Sequence, residues 1–237
     1  MVQARGPESF EPPYEELNIS SLRRVIAGRM LESKGSIPHF YLFDTVNMGE
    51  AVRLREELNA AGGEKISFND IIVKAAAVAL ESHLECNVSY RDGRIRRYSE
   101  ININIAVSVE GGLLVPTLRN CERKSLQEIS TEAKTLSLKA REKKLRPREN
   151  AGGTFTVSNL GMFGLEGSFS IINPPQAMIL TVGAIRKVPV VEHDELAVGT
   201  RMKMTLSCDH RALDGAAGAG FLVEVKKMLE HPQEYIL

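Results

Sequence analysis

The chain has 237 residues, of which 43% are hydrophobic and 25% charged, with 30 basic side chains balancing 30 acidic ones. That length affords one large domain or two small ones, and the cancelled charge removes any general case for a nucleic-acid or acidic-membrane partner. Cys86, Cys121 and Cys208 are odd in number and lack metal-ligand spacing, and no apolar run approaches the roughly 20 residues of a bilayer span. Arg5, Glu8 and Glu11 stand where a signal peptide would be apolar, so the expectation is a soluble, intracellular protein of a reducing compartment such as the cytoplasm.

Residues 1–18 are polar and proline-bearing and read as a linker end or an extended arm, with Phe10, Tyr14 and Leu17 available to pack on a neighbour. The body, residues 19–237, begins with a helix capped by Ser20 or Ser21, with Leu22, Val25, Ile26 and Met30 on one face and Gly35 as its stop. Residues 38–46 form an aromatic-rich strand. Asn47 and Glu50 then open a helix that reaches Ala60 before Gly62 and Gly63. The helix within residues 67–85 is apolar nearly all round, which predicts a buried central element. Asp92-Gly93 marks a hairpin between Tyr90 and Ile95. From Ile101 to Val109 apolar and polar residues alternate, which predicts one continuous strand, and Pro116 makes residues 113–118 an edge or irregular strand.

Ser125 and Glu128 form a capping pair for a long helix to about Leu145. Residues 154–157 are a short strand, followed by the turn Ser158-Asn159-Leu160-Gly161. Strands around Pro174-Pro175 come next, and His193-Asp194-Glu195 turns the chain into a strand where Met202, Met204 and Leu206 alternate with Arg201, Lys203 and Thr205. A histidine, His210, stands at the end of that strand. Beyond it Asp214-Gly215 and the small residues 216–220 lead into a helix whose first turns must lie close against a neighbour. With no internal repeat and no steady βαβ alternation, the expected class is α+β, a two-layer sandwich with a mixed sheet flanked by helices.

Four places could carry chemistry. His210 could move a proton to or from a thiol or hydroxyl, or could simply finish a strand by bonding to backbone. Asp214 could fix an arginine or the imidazole, or cap the following helix, and both roles can coexist. Ser158 and Asn159, on a turn bearing Gly161, offer donors to an oxyanion, although these are also ordinary turn residues. His39 could face a pocket or pack. Cys208 shares the parity of Met202, Met204 and Leu206, which makes it a buried strand cysteine rather than a nucleophile. The arginines around the 91–97 hairpin read as a solvated face.

Taken together, Asp209-His210-Arg211-x-x-Asp214-Gly215 and Phe155-Thr156-Val157-Ser158-Asn159-Leu160-Gly161 resemble the catalytic domain of the dihydrolipoyl acyltransferases, the core components of 2-oxo acid dehydrogenase complexes. Arg24-Val25-Ile26-Ala27-x-Arg29-Met30, Ile37-Pro38-His39-Phe40-Tyr41, Gly152-Gly153-Thr154 and Ile172-Asn173-Pro174-Pro175-Gln176 extend the resemblance over the whole body. It implies a fold like that of chloramphenicol acetyltransferase and acyl transfer between the dihydrolipoyl arm and coenzyme A, without a metal. His210 would be the general base and Ser158 the oxyanion donor. Asp214 would hold the site by pairing with an arginine of the helix containing Arg24 and Arg29. Asn159, Gly161, His39, Arg24 and Arg29 would contact substrate.

The resemblance further implies homotrimers with shared active sites, built into a cubic or icosahedral core that meets lipoyl domains, the 2-oxo acid dehydrogenase and dihydrolipoyl dehydrogenase. The stretch after Ser158 is most similar to that of acetyl-transferring, pyruvate-linked members. Succinyl or branched-chain transfer and a non-catalytic scaffold are the alternatives. No lipoylation site occurs in residues 1–17, so the lipoyl group would ride on a domain outside this sequence.

Overall fold

Capping side chains set where the helices begin. Ser20 accepts from the Arg23 N–H at 3.1 Å and opens α1 (Ser21–Ser36). This helix runs through Gly35 rather than stopping there, because Pro38 is the residue that ends it, by forcing Ile37 into extended backbone. After β1 (His39–Asn47), the Asn47 carboxamide accepts from the Gly49 N–H at 3.1 Å and starts α2 (Gly49–Ala60). Ser67 and Asp70 cap α3 (Phe68–Ser82) reciprocally, at 3.2 and 2.7 Å. As its composition predicts, α3 is buried along most of its length.

The hairpin β2 (Val88–Arg91) and β3 (Arg94–Arg97) turns at Asp92-Gly93. The expected continuous strand over 101–109 is instead two elements, β4 (Ile103–Ile105) and β5 (Val107–Val109), separated at Ala106. Ala106 donates its N–H to Val157 O at 3.1 Å, and beyond it the chain leaves the main sheet to pair with β6 (Gly112–Leu114). Two of the polar alternate residues are not solvated. Asn104 accepts from the Thr117 hydroxyl at 2.8 Å, and Asn102 accepts from the Asn120 N–H at 2.9 Å. Up to β4 a polar residue in this alternation therefore marks a buried hydrogen-bonding face, whereas Ser108 on β5 is exposed.

The remaining elements are β7 (Thr117–Leu118), α4 (Leu126–Arg141), β8 (Phe155–Asn159), β9 (Met178–Val182), β10 (Arg186–Glu192), β11 (Glu195–Asp209), α5 (Gly215–Glu230) and the short α6 (Pro232–Tyr235). The capping box of α4 forms, but the helix stops at Arg141, where Lys143 enters the left-handed region with φ 58°. The main sheet is ordered β1-β11-β9-β8-β4-β7, with β10 paired to the first half of β11. β8 lies parallel to both β4 and β9, and the other pairings are antiparallel. This computed structural model describes residue 12 and residues 14–237. Most of the expected arm, Phe10 included, lies outside the described residues; Tyr14 and Leu17 are exposed.

The two sheet faces differ. Phe40, Leu42, Val157, Leu180, Met204, Leu206 and Cys208 share the face packed by α3 and α5 and form the core. The opposite face carries hydroxyls, and the segment 168–172 lies along it. The Thr205 hydroxyl donates to Ser168 O, the Ser207 hydroxyl to Ser170 O at 2.7 Å, and the Thr181 and Ser170 hydroxyls bond at 2.7 Å. Ile172 closes this layer against Ile37 and Ile179. The core face is anchored by Phe155, whose ring meets Phe221 edge-on at 5.4 Å. Phe155→Ala is expected to cost about 3–5 kcal/mol of stability by chemical denaturation. A loss below about 1 kcal/mol would mean that this pair is not part of a close-packed core.

Candidate active site

His210 is delivered by the last rung of a ladder. β11 is held on one side by β1, with Asp209 opposite His39, and on the other by β9, with Cys208 opposite Met178. The pairing continues past the strand end: the Asp209 N–H donates to Ala177 O at 2.8 Å and the His210 N–H to Pro38 O at 3.0 Å. The chain then turns, the N–H groups of Ala212 and Leu213 both donating to Asp209 O at 3.0 Å. The imidazole is exposed, and its ring lies 4.8 Å from that of Phe40 at a 56° tilt. No side-chain hydrogen bond to the described residues engages it.

Asp209 itself is 2% exposed, and its carboxylate grips the next residue but one. Arg211 donates its backbone N–H at 2.9 Å and Nε at 3.0 Å to Oδ1, and Nη2 at 2.8 Å to Oδ2. The guanidinium lies over the Tyr90 ring, 4.6 Å from its centre. These carboxylate hydrogen bonds hold Arg211 even more firmly protonated than usual. No sequence reasoning selected this pair; the available signal was an acid and an arginine flanking the histidine at a spacing of two.

Asp214 takes the second of its expected roles, the helix cap, and not the arginine pairing. Its Oδ1 accepts the Ala217 N–H at 2.9 Å and caps α5. Arg24 and Arg29 sit on the exposed surface of α1, and neither forms an ion pair with Asp214. The expected clamp between Asp214 and that helix is therefore absent within the chain, because the carboxylate is used on its own helix terminus. The close approach expected of the small residues is present: a Cβ on Gly218 would stand 3.0 Å from Leu42 Cδ1 and 3.3 Å from Cys208 Sγ.

Ser158 lies on β8 opposite Thr181, 9% exposed, and its hydroxyl forms no hydrogen bond with the described residues. Asn159 accepts the Gly161 N–H at 2.9 Å, closing the turn after the strand. Gly161 is required there, since a Cβ would fall 2.6 Å from Gly183 O. These two residues thus build the turn behind Ser158. His39 is also structural in its bonding: Nε2 accepts the Ile172 N–H at 3.2 Å, which leaves Nδ1 to donate to Ile37 O at 2.8 Å. Both ring nitrogens are thus engaged, Nε2 pinning segment 168–172 at Ile172 and Nδ1 bonding to Ile37.

The sheet topology keeps His210 and Ser158 apart. Ser158 is level with Thr181, and Thr181 with Thr205, five residues before His210 on β11. Five strand residues and two strand spacings put the two side chains roughly 20 Å apart within one chain. The reason is direction: β8 runs parallel to β9, while β11 runs antiparallel to it, so their C-terminal ends lie at opposite edges of the sheet. Two clefts open on the surface, one lined by Lys74, Leu126 and Ile236 and the other by Asp44, Arg201 and Lys226. Neither includes His210 or Ser158.

Comparison with known proteins follows the same residues. The family model of the 2-oxoacid dehydrogenases acyltransferase catalytic domain matches residues 11–237. The dihydrolipoyllysine-residue acetyltransferase component of the pyruvate dehydrogenase complex of Rickettsia bellii is 42% identical over 240 residues, covering 100% of this chain and 56% of the relative. The chain thus spans about half the length of the curated relatives it matches. A dihydrolipoamide acetyltransferase of Azotobacter vinelandii superposes with a TM-score of 0.92 at 29% identity, covering 100% of both chains. The cubic core of a pyruvate dehydrogenase multienzyme complex gives the same TM-score, 0.92, identity, 29%, and coverage, 100% of each chain. A chloramphenicol acetyltransferase, 16% identical with a TM-score of 0.54 over 85% of this chain and 94% of its own, shares the fold alone.

Burial pushes the thiols of Cys86, Cys121 and Cys208 up to about 12 each. Cys208, against α5 in the core, has almost no thiolate with which to act beside His210. A thiol reagent at about pH 8 is expected to leave all three cysteines unmodified in the folded protein and to label them after denaturation. Rapid labelling of Cys208 in the folded state would contradict this assignment.

Proposed function

The chain belongs to the 2-oxoacid dehydrogenases acyltransferase family through its catalytic domain, and on that premise we propose that it passes an acetyl group between a dihydrolipoyl thiol and coenzyme A. The observation that carries the proposal is the His210 imidazole. It is exposed at a rigid strand–helix joint, whereas His39 has both nitrogens bound to backbone. A histidine held by its backbone but free at its ring is suited to take and return a proton.

In the proposed reaction His210 takes the proton from the coenzyme A thiol. The thiolate attacks the carbonyl carbon of the acetylated dihydrolipoyl arm, forming a new C–S bond and a tetrahedral oxyanion. Ser158 donates a hydrogen bond to that oxyanion, where the developing charge makes a fixed donor most effective. Collapse breaks the C–S bond to the dihydrolipoyl sulfur, and the proton on His210 passes to the departing thiolate. No covalent intermediate on the protein is needed. Asp214 contributes by capping the helix that follows the loop.

Support for these roles comes from the Azotobacter vinelandii relative, in which a serine, a histidine and an asparagine are the groups investigated for the catalytic mechanism. Their spacing along that chain equals the spacing of Ser158, His210 and Asp214 here. An acid thus stands where that protein has an amide, and either side chain caps a helix well. The relatives named as acetyltransferases of pyruvate dehydrogenase complexes favour acetyl over succinyl or branched-chain groups.

Because His210 and Ser158 stand far apart in one chain, a working site requires two chains, one supplying each residue. A homotrimer closes such heterologous contacts in a ring. The single chain also exposes apolar side chains that need a partner, among them Phe43 at 73% and Met162 at 77%, together with Leu196 and Val198 on the β10–β11 ribbon. Trimers assembled into a cubic or icosahedral core, visited by lipoyl domains and flanked by the 2-oxo acid dehydrogenase and dihydrolipoyl dehydrogenase, complete the proposal. Coenzyme A and the lipoyl group act in it as substrates. Among the described residues, no helix is long and apolar enough to cross a membrane.

His210→Ala is expected to abolish transfer from acetyl coenzyme A to dihydrolipoamide while leaving the oligomer intact by gel filtration. Ser158→Ala should lower kcat by roughly 10²–10³-fold with little change in KM. Near-normal turnover by the histidine variant would remove the proposed mechanism, and a purely KM effect would make Ser158 a binding residue.

A further inference from the structure

Asp209 and Arg211 flank His210 in the chain and pair with one another across it, and both side chains lie outside the proton-transfer chemistry. We propose that this pair, braced by Tyr90, is the positioning device that aims the imidazole, so that Asp209 and Arg211 act on the rate through His210 without touching substrate. This rests on the function proposed for His210.

The inference begins from how little else holds the imidazole. Its nitrogens have no partner among the described residues, and its one ring neighbour, Phe40, offers contact at 4.8 Å but no directional bond. The side chain's direction is therefore inherited from the backbone on either side. Besides the bond from the His210 N–H to Pro38 O, that backbone is held at Asp209 through its N–H, its carbonyl and its carboxylate. Its carbonyl receives Ala212 and Leu213, its N–H reaches Ala177, and its carboxylate receives both the backbone and the guanidinium of Arg211.

Bidentate pairing of this kind fixes angle as well as distance, which a lysine in place of Arg211 could not reproduce. Tyr90 then sets the far side of the guanidinium from β2, 4.6 Å away, so the loop is referred to the β2–β3 hairpin as well as to the main sheet. A buried carboxylate costs much desolvation and is retained here with its partner two residues away. A one-ångström error in a reacting group can cost roughly 10²-fold in rate, so a device that fixes this loop has a measurable consequence.

The test uses the intact oligomer and steady-state acetyl transfer to dihydrolipoamide. Asp209→Asn and Arg211→Gln are each expected to lower kcat by about 10–100-fold while KM for both substrates moves less than about twofold. The double variant, which can restore a neutral amide–amide contact, is expected to be no slower than the worse single variant, since both act on one element. Arg211→Lys keeps the charge but loses the two-pronged pairing, and should still be slowed.

Singles within twofold of the parent, a loss confined to KM, or losses that multiply in the double variant would each overturn the positioning role. Should Asp209→Asn fail to fold, the Arg211→Lys result decides alone. If His210→Ala retains turnover, the functional proposal fails; if it is inactive while Asp209→Asn is normal, only the positioning role fails.

Discussion

The direction of β11 relative to β9 is the constraint on which the rest of this protein depends. β8 and β9 run together, so Ser158 near the end of β8 sits level with Thr181. β11 runs against β9, so the sheet carries His210 to the opposite edge. Backbone hydrogen bonds fix this register along both seams, and a slip by one residue would move Met204, Leu206 and Cys208 out of the core. The separation of the two proposed catalytic groups is therefore as rigid as the core itself. A second chain is the natural way to bring a serine to the histidine without breaking the sheet.

The two faces of that sheet divide the work. The apolar face packs α3 and α5 and makes the strand end a fixed platform for the turn 209–213. The hydroxyl face binds segment 168–172 through Thr181, Thr205 and Ser207, and His39 fastens the same segment at Ile172. The hydroxyls of Thr205 and Ser207 are satisfied by backbone carbonyls and that of Thr181 by Ser170, so these groups avoid the cost of burial without a partner. Platform and cover leave both the His210 ring and the Ser158 hydroxyl without a hydrogen bond to the described residues.

Much of this was legible in the sequence, and the misreadings share a cause. Capping residues placed the starts of α1 and α4 correctly, because a side chain meeting a nearby N–H is a local event. The parity of Met202, Met204, Leu206 and Cys208 identified the core face, and the small residues of α5 foretold its close approach to Leu42. What failed depended on distant partners. The alternation over 101–109 looked like one strand, yet it divides at Ala106, and Asn102 and Asn104 bond to residues from other elements. The ring bonds of His39 to Ile37 and Ile172 were likewise not legible, whereas the cap that Asp214 forms on its own helix was one of the roles its position suggested. The Asp209–Arg211 pair was visible as letters but acquired meaning only once the burial of its carboxylate was known.

The measurement that tests the shared site most directly is subunit mixing. Ser158→Ala and His210→Ala chains, each nearly inactive alone, would be unfolded or dissociated together at equal amounts and reassembled. If each site takes His210 from one chain and Ser158 from its neighbour, random assembly leaves about one quarter of the sites intact, and acetyl transfer should recover to about that fraction of the parental rate. Activity no greater than the average of the two variants would contradict a site built from two chains.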